Sequence, residues 1–174
     1  MGIAALLVFV GLLLLWAGLT FLAIPLWGLG AVYAFLGIRL RATARAVTLH
    51  NLAYERAARG QIAEARAISA QIPKGARSRG LLPRANGLLH AMIALHEANF
   101  EEGAKHAGTA IVARKPLFRR GVAEIYEVSG LGLRALMYAS LGRPNEALAD
   151  VARAEAHPSL HPAAWARCQL AKAI

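Results

Sequence analysis

The sequence predicts an all-α protein in which an apolar N-terminal segment precedes a stack of paired helices. From Gly2 to Gly37 every residue is apolar or small except Thr20. After Arg39, Pro and Gly separate segments of about 12 to 15 residues that are rich in Ala, Leu, Arg and Glu, which favour helices. No stretch beyond Arg45 alternates β-branched with polar residues, so we do not expect a sheet.

The apolar segment is too long for one straight membrane span. As a single helix it would extend roughly 54 Å, whereas the hydrocarbon core of a bilayer is about 30 Å thick. Two interpretations remain: one span with a bent or interfacial extension, or a hairpin of two spans of about 16 residues each. The hairpin explains more residues, because Gly18 and Thr20 weaken the helix and Pro25 suits the first residue of a second one. We expect residues 1–40 to form this transmembrane anchor.

The residues that flank the anchor predict its orientation. In the hairpin, Trp16 and Trp27 would both lie at the far interface of the bilayer. No Lys or Arg precedes the apolar segment, and three arginines follow it: Arg39, Arg41 and Arg45. The positive-inside tendency therefore places residues 41–174 on the cytoplasmic side of a membrane. Abundant Ala, with 16 Arg against four Lys, suggests a GC-rich bacterial genome, so the membrane would be the bacterial inner membrane.

Composition restricts the rest of the chain. The 20 basic and 10 acidic residues give a net charge of +10, all of it after position 38, which suggests anionic lipid, acidic proteins or nucleic acid as partners. The single cysteine, Cys168, excludes an intrachain disulfide and agrees with a reducing compartment. The part beyond the anchor suffices for one compact domain.

We expect seven helices after the anchor, because Pro and Gly interrupt the helical composition at regular points. Pro73 ends the second of them, Pro116 follows the fourth, and Ser159 and Pro162 suit the N-cap and first turn of the last. That last helix would cap the stack, with Trp165, Cys168 and Leu170 turned partly inward. The expected ranges are 42–59, 61–72, 84–98, 101–114, 121–141, 144–156 and 160–172.

Three turns between these helices repeat one another: "AARGQIAEARA" (57–67), "HEANFEEGAKHA" (96–107) and "ASLGRPNEALADVARA" (139–154). Each has a turn-forming residue, acidic or polar residues, and a small residue that begins a packed helix. This pattern resembles the tetratricopeptide repeat, in which small residues let paired helices approach closely. The third unit matches best, with the family's small, Tyr and Gly positions at Ala135, Tyr138, Gly142, Ala147 and Ala154.

This sequence also departs from the family pattern. Equivalent positions recur 38 residues apart, from Ala65 to Gly103, and then 44 apart, from Gly103 to Ala147, whereas the family period is about 34. The consensus Trp is missing, and Arg134 stands where the family usually has Leu. The resemblance covers residues 46–158, and a generic α-solenoid is the less specific interpretation.

The resemblance implies that a protein partner binds the inner face formed by the first helix of each pair. The candidate contact residues there are Tyr54, Arg56, His90, Ala94, Arg134 and Tyr138, of which Tyr138 could equally belong to the core.

The connections between pairs are basic and would lie along the edge at which the chain leaves the membrane. We expect contacts with anionic headgroups from Arg39, Arg41, Arg45, Lys74, Arg77, Arg79, Arg84, Arg114, Lys115, Arg119 and Arg120. The alternative is that these are ordinary solvated loop residues. We expect no nucleic acid as partner, because no RNA-binding signature or recognition-helix pattern occurs.

We find no sequence motif for catalysis, a metal or a cofactor. The chain has no phosphate-binding loop, dinucleotide-binding fingerprint, zinc-protease motif or C-x-x-C pair. His157 and His161 have a helical ligand spacing, but Pro158 and Pro162 place them at a helix break. We therefore expect neither an enzyme nor a cofactor. The sequence favours a membrane-anchored interaction adaptor or, alternatively, an accessory subunit that joins a larger membrane complex through its anchor.

Overall fold

The computed structural model describes residues 2–16, 20–73, 75, 80–112 and 120–174. These residues form helices and turns without a strand, so the all-α prediction is confirmed for the described part of the chain. The chain divides into two compact units, residues 1–45 and residues 46–174. Helix α1 covers Gly2–Trp16 and α2 covers Thr20–Ala58. Residues 20–45 of α2 belong to the first unit and residues 46–58 to the second.

The first unit is an antiparallel pair of helices formed by α1 and residues 20–45 of α2. The indole N–H of Trp27 donates a hydrogen bond to the carbonyl of Val8 at 3.4 Å. Gly11 makes room for this ring, because a Cβ there would overlap the indole. Three residues further along α2, a Cβ on Gly30 would lie 3.5 Å from Leu7. The two arms therefore pack through small residues.

Two details of the predicted hairpin are wrong. Pro25 is the sixth residue of α2 and not its first, so it lies inside the helix, where it lacks the N–H that would bond to the carbonyl four residues earlier. Trp16 and Trp27 do not share a level: Trp16 is 91% exposed at the end of α1, whereas Trp27 packs beside Val8 and Gly11. The α1 residues that Trp27 contacts lie at least five positions before Trp16, which is about 8 Å along the helix.

In the described parts of the chain, no helix combines the length and the apolar character required to cross a bilayer. The 15 residues of α1 extend about 22 Å, against about 30 Å of hydrocarbon. The predicted transmembrane crossing therefore has no support from these helices.

The second unit continues with six described helices: α3 Ile62–Ala70, α4 Leu82–His96, α5 Phe100–Val112, α6 Arg120–Ser140, α7 Pro144–Glu155 and α8 Pro162–Ala173. Their ends agree with the predicted ends to within two residues. The exception is the expected helix 42–59, which forms the C-terminal part of the longer helix α2, because no Pro or Gly separates it from residues 38–41. Arg39, Arg41 and Arg45 therefore lie within a helix.

The helices of the second unit pack in a repeat-like order. Helix α3 packs on α4, α6 packs on both α4 and α5, and α8 packs on both α6 and α7. Helices α6 and α8 thus each contact both helices of the preceding pair. One core cluster includes Leu88, Leu89, Leu133 and Met137, and another includes Leu131, Val151 and Cys168.

The three turns within the pairs have the same backbone geometry. Gly60, Ala98 and Gly142 are left-handed, with φ of 75°, 55° and 69°. The amide of the next residue donates back to the carbonyl five residues earlier: Gln61 to Arg56, Asn99 to Ala94 and Arg143 to Tyr138, at 2.8–2.9 Å. This is the Schellman arrangement of helix ends. Because Ala65, Gly103 and Ala147 are buried five residues beyond each turn, the unequal spacing of 38 and 44 is a property of the structural repeat.

The sequence "GLGLRAL" at 130–136 lies within α6, as its helical pattern predicts. A Cβ on Gly130 would lie 3.1 Å from the carbonyl of Ala107 in α5. A Cβ on Gly132 would lie equally close to the carbonyl of Ala164 in α8. The two glycines therefore allow α5 and α8 to approach α6 closely.

The last helix differs from the prediction in its cap and its exposed face. His161, and not Ser159, caps α8, because its side chain accepts a hydrogen bond from the amide of Ala164. Cys168 is buried. Trp165 and Leu170 are each 52% exposed and do not turn inward, because only the stripe with Ala164, Cys168 and Ala171 packs against the stack.

Candidate functional site

Three of the predicted contact residues face the second helix of their own pair. Arg56 donates to Gln61 at 3.0 Å and pairs with Glu64 of α3 at 3.3 Å. Ala94 is buried and faces Gly103 of α5, where an added Cβ would lie 3.2 Å from the Cβ of Ala94. His90 lies beside His106 of α5, with ring centroids 5.1 Å apart.

Arg134 and Tyr138 occupy the same stripe in the third pair. Arg134 binds both carboxylate oxygens of Asp150 in α7, at 2.6 and 2.7 Å, and these hydrogen bonds raise the pKa of the guanidinium. The ring of Tyr138 lies 5.7 Å from the guanidinium of Arg134 and 4.6 Å from that of Arg143. Five of the six predicted contact residues therefore make contacts within their own helix pair. Ala94 is buried, and partner binding by the other four stays a prediction.

Tyr54 lies on a different stripe, together with residues that the sequence did not single out. Its ring is 6.3 Å from that of His50, which is only 5% exposed. Burial lowers the pKa of His50, and a hydrogen bond with Asn86 of α4 raises it by less. Burial raises the pKa of Tyr126 of α6, and Tyr54 adds to this shift. We call His50, Tyr54, Asn86 and Tyr126 the polar cluster.

The polar cluster lies among the three first helices α2, α4 and α6. Tyr54 and Tyr126 are partly exposed and pack on the core, whereas His50 and Asn86 are buried. The four-residue spacing of His50 and Tyr54, and the position of Asn86 in the largely apolar α4, were the available sequence signals. The cluster can offer two phenol groups to a partner, supported by buried polar side chains.

Arg84 is not a membrane-surface residue. It is 1% exposed and donates to the carbonyls of Ala110 at 2.8 Å and Ala123 at 3.1 Å. Glu127 lies 4.0 Å away. Burial lowers the pKa of Arg84, and the carboxylate of Glu127 opposes that shift. Arg84 therefore holds α4, α5 and α6 together.

The other predicted basic contacts divide into two groups. Arg39, Arg41 and Arg45 are exposed on α2, and the guanidinium of Arg39 lies 4.2 Å from the ring of Phe35. The remaining side chains lie outside the described residues, and their contact with lipid stays a prediction: Lys74, Arg77, Arg79, Arg114, Lys115, Arg119 and Arg120.

Among the described residues, no three His, Cys, Asp or Glu side chains form a group that could hold a metal ion. His157 accepts from the amide of Ser159 at 3.2 Å, and His161 caps α8. Burial, with Glu155 as a smaller cause, raises the pKa of the Cys168 thiol, which favours the protonated, packed form.

The first unit exposes large apolar side chains around both of its arms. An open groove of about 900 Å³ also runs between α1 and α2, within this unit. Arg41 is the one charged residue among those that line it. The exposed side chains include Ile3, Leu6, Phe9, Leu12, Leu13, Trp16, Ile24, Leu29, Val32, Phe35 and Leu36.

No family model matches this chain, and neither a curated protein nor a solved structure matches it. Its function is therefore inferred from its own residues and their packing.

Proposed function

We propose that this protein is a membrane-associated interaction adaptor. The hairpin of the first unit inserts into lipid, and the helical stack of the second unit presents a binding surface to another protein. The observation that carries the proposal is the exposed apolar surface of the first unit. Contiguous exposed apolar patches larger than a few hundred Å² are rare in monomeric soluble proteins and mark interaction with membranes or partners.

The length and charge of the hairpin support insertion from one side of the bilayer. Helix α1, which is about 22 Å long, reaches beyond one leaflet of a core about 30 Å thick without crossing both. Arg39, Arg41 and Arg45 would then lie near the headgroups on the side of entry, where anionic lipid attracts them. The positive-inside tendency favours the cytoplasmic face of a bacterial inner membrane.

The second unit supports the adaptor role through its repeated architecture. Its three equivalent turns agree with the resemblance to tetratricopeptide repeats, which bind peptides or domains on their first helices. On those helices we assign the contact to Tyr54 and Tyr126 of the polar cluster. Partly exposed tyrosines supply apolar area and a hydroxyl group at little cost in conformational entropy.

Vesicle flotation of the full-length chain tests the membrane role. Wild-type protein should float with phosphatidylcholine–phosphatidylglycerol vesicles. The double variant Leu6→Glu/Phe9→Glu should lose at least about tenfold in the floated fraction, because both exposed side chains would carry charge into hydrocarbon. Leu148→Glu, at an apolar residue of the second unit with similar exposure, is the control and should float normally. Wild-type protein that stays monodisperse without lipid or detergent, and does not float, would refute the proposal.

The exposed apolar side chains of the first unit also favour a second function, in which they pack against helices of neighbouring subunits. The protein would then be an accessory subunit of a larger membrane complex. A photo-crosslinking amino acid placed in cells at Tyr126 or at Leu6 distinguishes the two functions. An adaptor should crosslink to protein mainly from position 126, and an accessory subunit mainly from position 6.

A further inference from the structure

The groove of the first unit is formed by small residues on both arms. Its floor and walls include Ala4, Ala5, Gly30, Ala31, Ala34 and Gly37. Large side chains at these positions would fill the space between the arms, whereas the small ones leave about 900 Å³ open. Along α2 the groove extends from Trp27 to Arg41, a distance of about 21 Å at 1.5 Å per residue.

The two ends of the groove differ in chemistry. At one end the indole of Trp27 packs over Gly11 and donates to the carbonyl of Val8, so its polar N–H is already used. At the other end lies Arg41, and every other lining residue is apolar or small except Tyr33. The groove is therefore a long apolar channel with one cation at its end.

The charges around Arg41 favour an anionic ligand. Arg39 and Arg45 are also exposed on α2. No Asp or Glu precedes Glu55 in the sequence, so the first unit has no carboxylate of its own to neutralise Arg41. A guanidinium binds phosphate through two parallel hydrogen bonds, which are about twice as strong as neutral ones.

We propose that this groove binds an anionic phospholipid, with an acyl chain along the small residues and the phosphate on Arg41. The inference rests on the proposed insertion into membranes and names the lipid that the inserted hairpin selects. Apolar lining and a terminal cation together match an amphiphile with an acidic headgroup. A zwitterionic lipid also carries a phosphate, but its own ammonium group competes with Arg41 for that phosphate.

Native mass spectrometry of the full-length chain in detergent tests the headgroup contact. Wild-type protein should retain phosphatidylglycerol about tenfold more tightly than phosphatidylcholine, the selectivity expected of one charge-assisted contact. Arg41→Gln should remove this preference. Arg45→Gln removes the same charge from an arginine that does not line the groove, and should keep it. Equal losses in both variants would mean that general charge attracts the lipid, and would overturn the inference.

A second pair of variants tests the acyl-chain site. Ala34→Trp fills the groove and should abolish retention of either lipid, whereas Leu36→Trp, outside the lining, should not. Undiminished lipid binding by Ala34→Trp would overturn the inference. Saturation of the wild-type groove by an apolar partner helix that excludes phosphatidylglycerol would also overturn it.

Flotation separates this inference from the proposed function. Ala34→Trp keeps both the exposed apolar face and the three arginines, so it should still float with vesicles. Flotation of the wild type without lipid selectivity would refute the groove alone, whereas failure of the wild type to float would refute the membrane role as well.

Discussion

Arg84 illustrates how packing changes the role of a charged side chain. In the sequence it follows Lys74, Arg77 and Arg79 and continues a basic run. In the structure its guanidinium donates to carbonyls 26 and 39 residues away. Local composition cannot indicate these partners, because they belong to helices that meet α4 only after folding.

Replacement of Arg84 should destabilise the second unit. Arg84→Met removes two buried hydrogen bonds and a cation that lies 4.0 Å from Glu127, so we expect the free energy of unfolding to fall by about 3 kcal/mol. Arg66→Met breaks the exposed pair with Glu97 and should cost at most about 1 kcal/mol. Denaturant unfolding of the full-length chain in detergent, followed by circular dichroism, measures both. Equal effects would contradict the structural role of Arg84.

His50 should make stability depend on pH. Burial lowers its pKa below the ordinary 6.5, so below about pH 6.5 the unfolded chain binds a proton that the folded chain does not. The contribution of His50 to the free energy of unfolding should therefore be complete above this pH. It should fall as the pH decreases, by up to about 1.4 kcal/mol per pH unit.

The variant His50→Gln should show a smaller slope of unfolding free energy between pH 7.5 and pH 5.5. Some slope should remain, because burial also lowers the pKa of His161. The exposed residue His96 supplies the control, and His96→Gln should keep the wild-type slope. An unchanged slope in His50→Gln would show that His50 does not carry the effect.

The helices themselves were largely predictable because their ends depend on nearby residues. Pro144 and Pro162 are the first residues of α7 and α8, where a proline loses no helical hydrogen bond. Gly60 and Gly142 follow the ends of their helices in left-handed conformations that glycine adopts readily. Ala98 occupies the equivalent conformation without that freedom, and the acidic residues after it still mark the next helix.

The contact stripes were not predictable from helix positions alone. On each first helix, the residues four and eight positions before the left-handed turn residue lie on the same side of the helix. The resemblance assigned that side to an open binding face. In the structure it faces the second helix, through Arg134–Asp150 and His90–His106. The rotation of a helix about its axis depends on which small residues allow close approach, here Gly87, Gly103 and Gly130.

Two glycines in the α4–α5 pair should respond oppositely to alanine. A Cβ on Gly87 would lie 2.7 Å from the carbonyl of His106, so Gly87→Ala must separate two backbones and should cost about 1–3 kcal/mol. A Cβ on Gly108 would meet only Arg134, at 3.7 Å. Gly108→Ala should therefore gain about 0.5–1 kcal/mol of helix propensity. Thermal unfolding compares the two; a stabilised Gly87→Ala would contradict the close packing.

At the level of the complete protein, the proposed insertion makes a topological prediction. A hairpin that enters and leaves on one side places position 2 and the second unit on the same side of the bilayer. Cys168 is buried, so a single introduced cysteine reports with little background. Gly2→Cys and Glu101→Cys should both resist an impermeant maleimide added outside intact cells and react in inverted vesicles. Labelling of position 2 alone from outside would indicate one complete crossing.

Composition and the placement of Pro, Gly and charge were sufficient to predict an all-α chain, its helix ends after residue 58, its repeated turns and its apolar beginning. These properties depend on residues within a few positions of one another. The burial of Arg84, the polar cluster and the groove beside Arg41 became visible only when helices were packed together. Burial and side-chain contact depend on which surfaces meet, and here those surfaces come from residues that lie far apart in the chain.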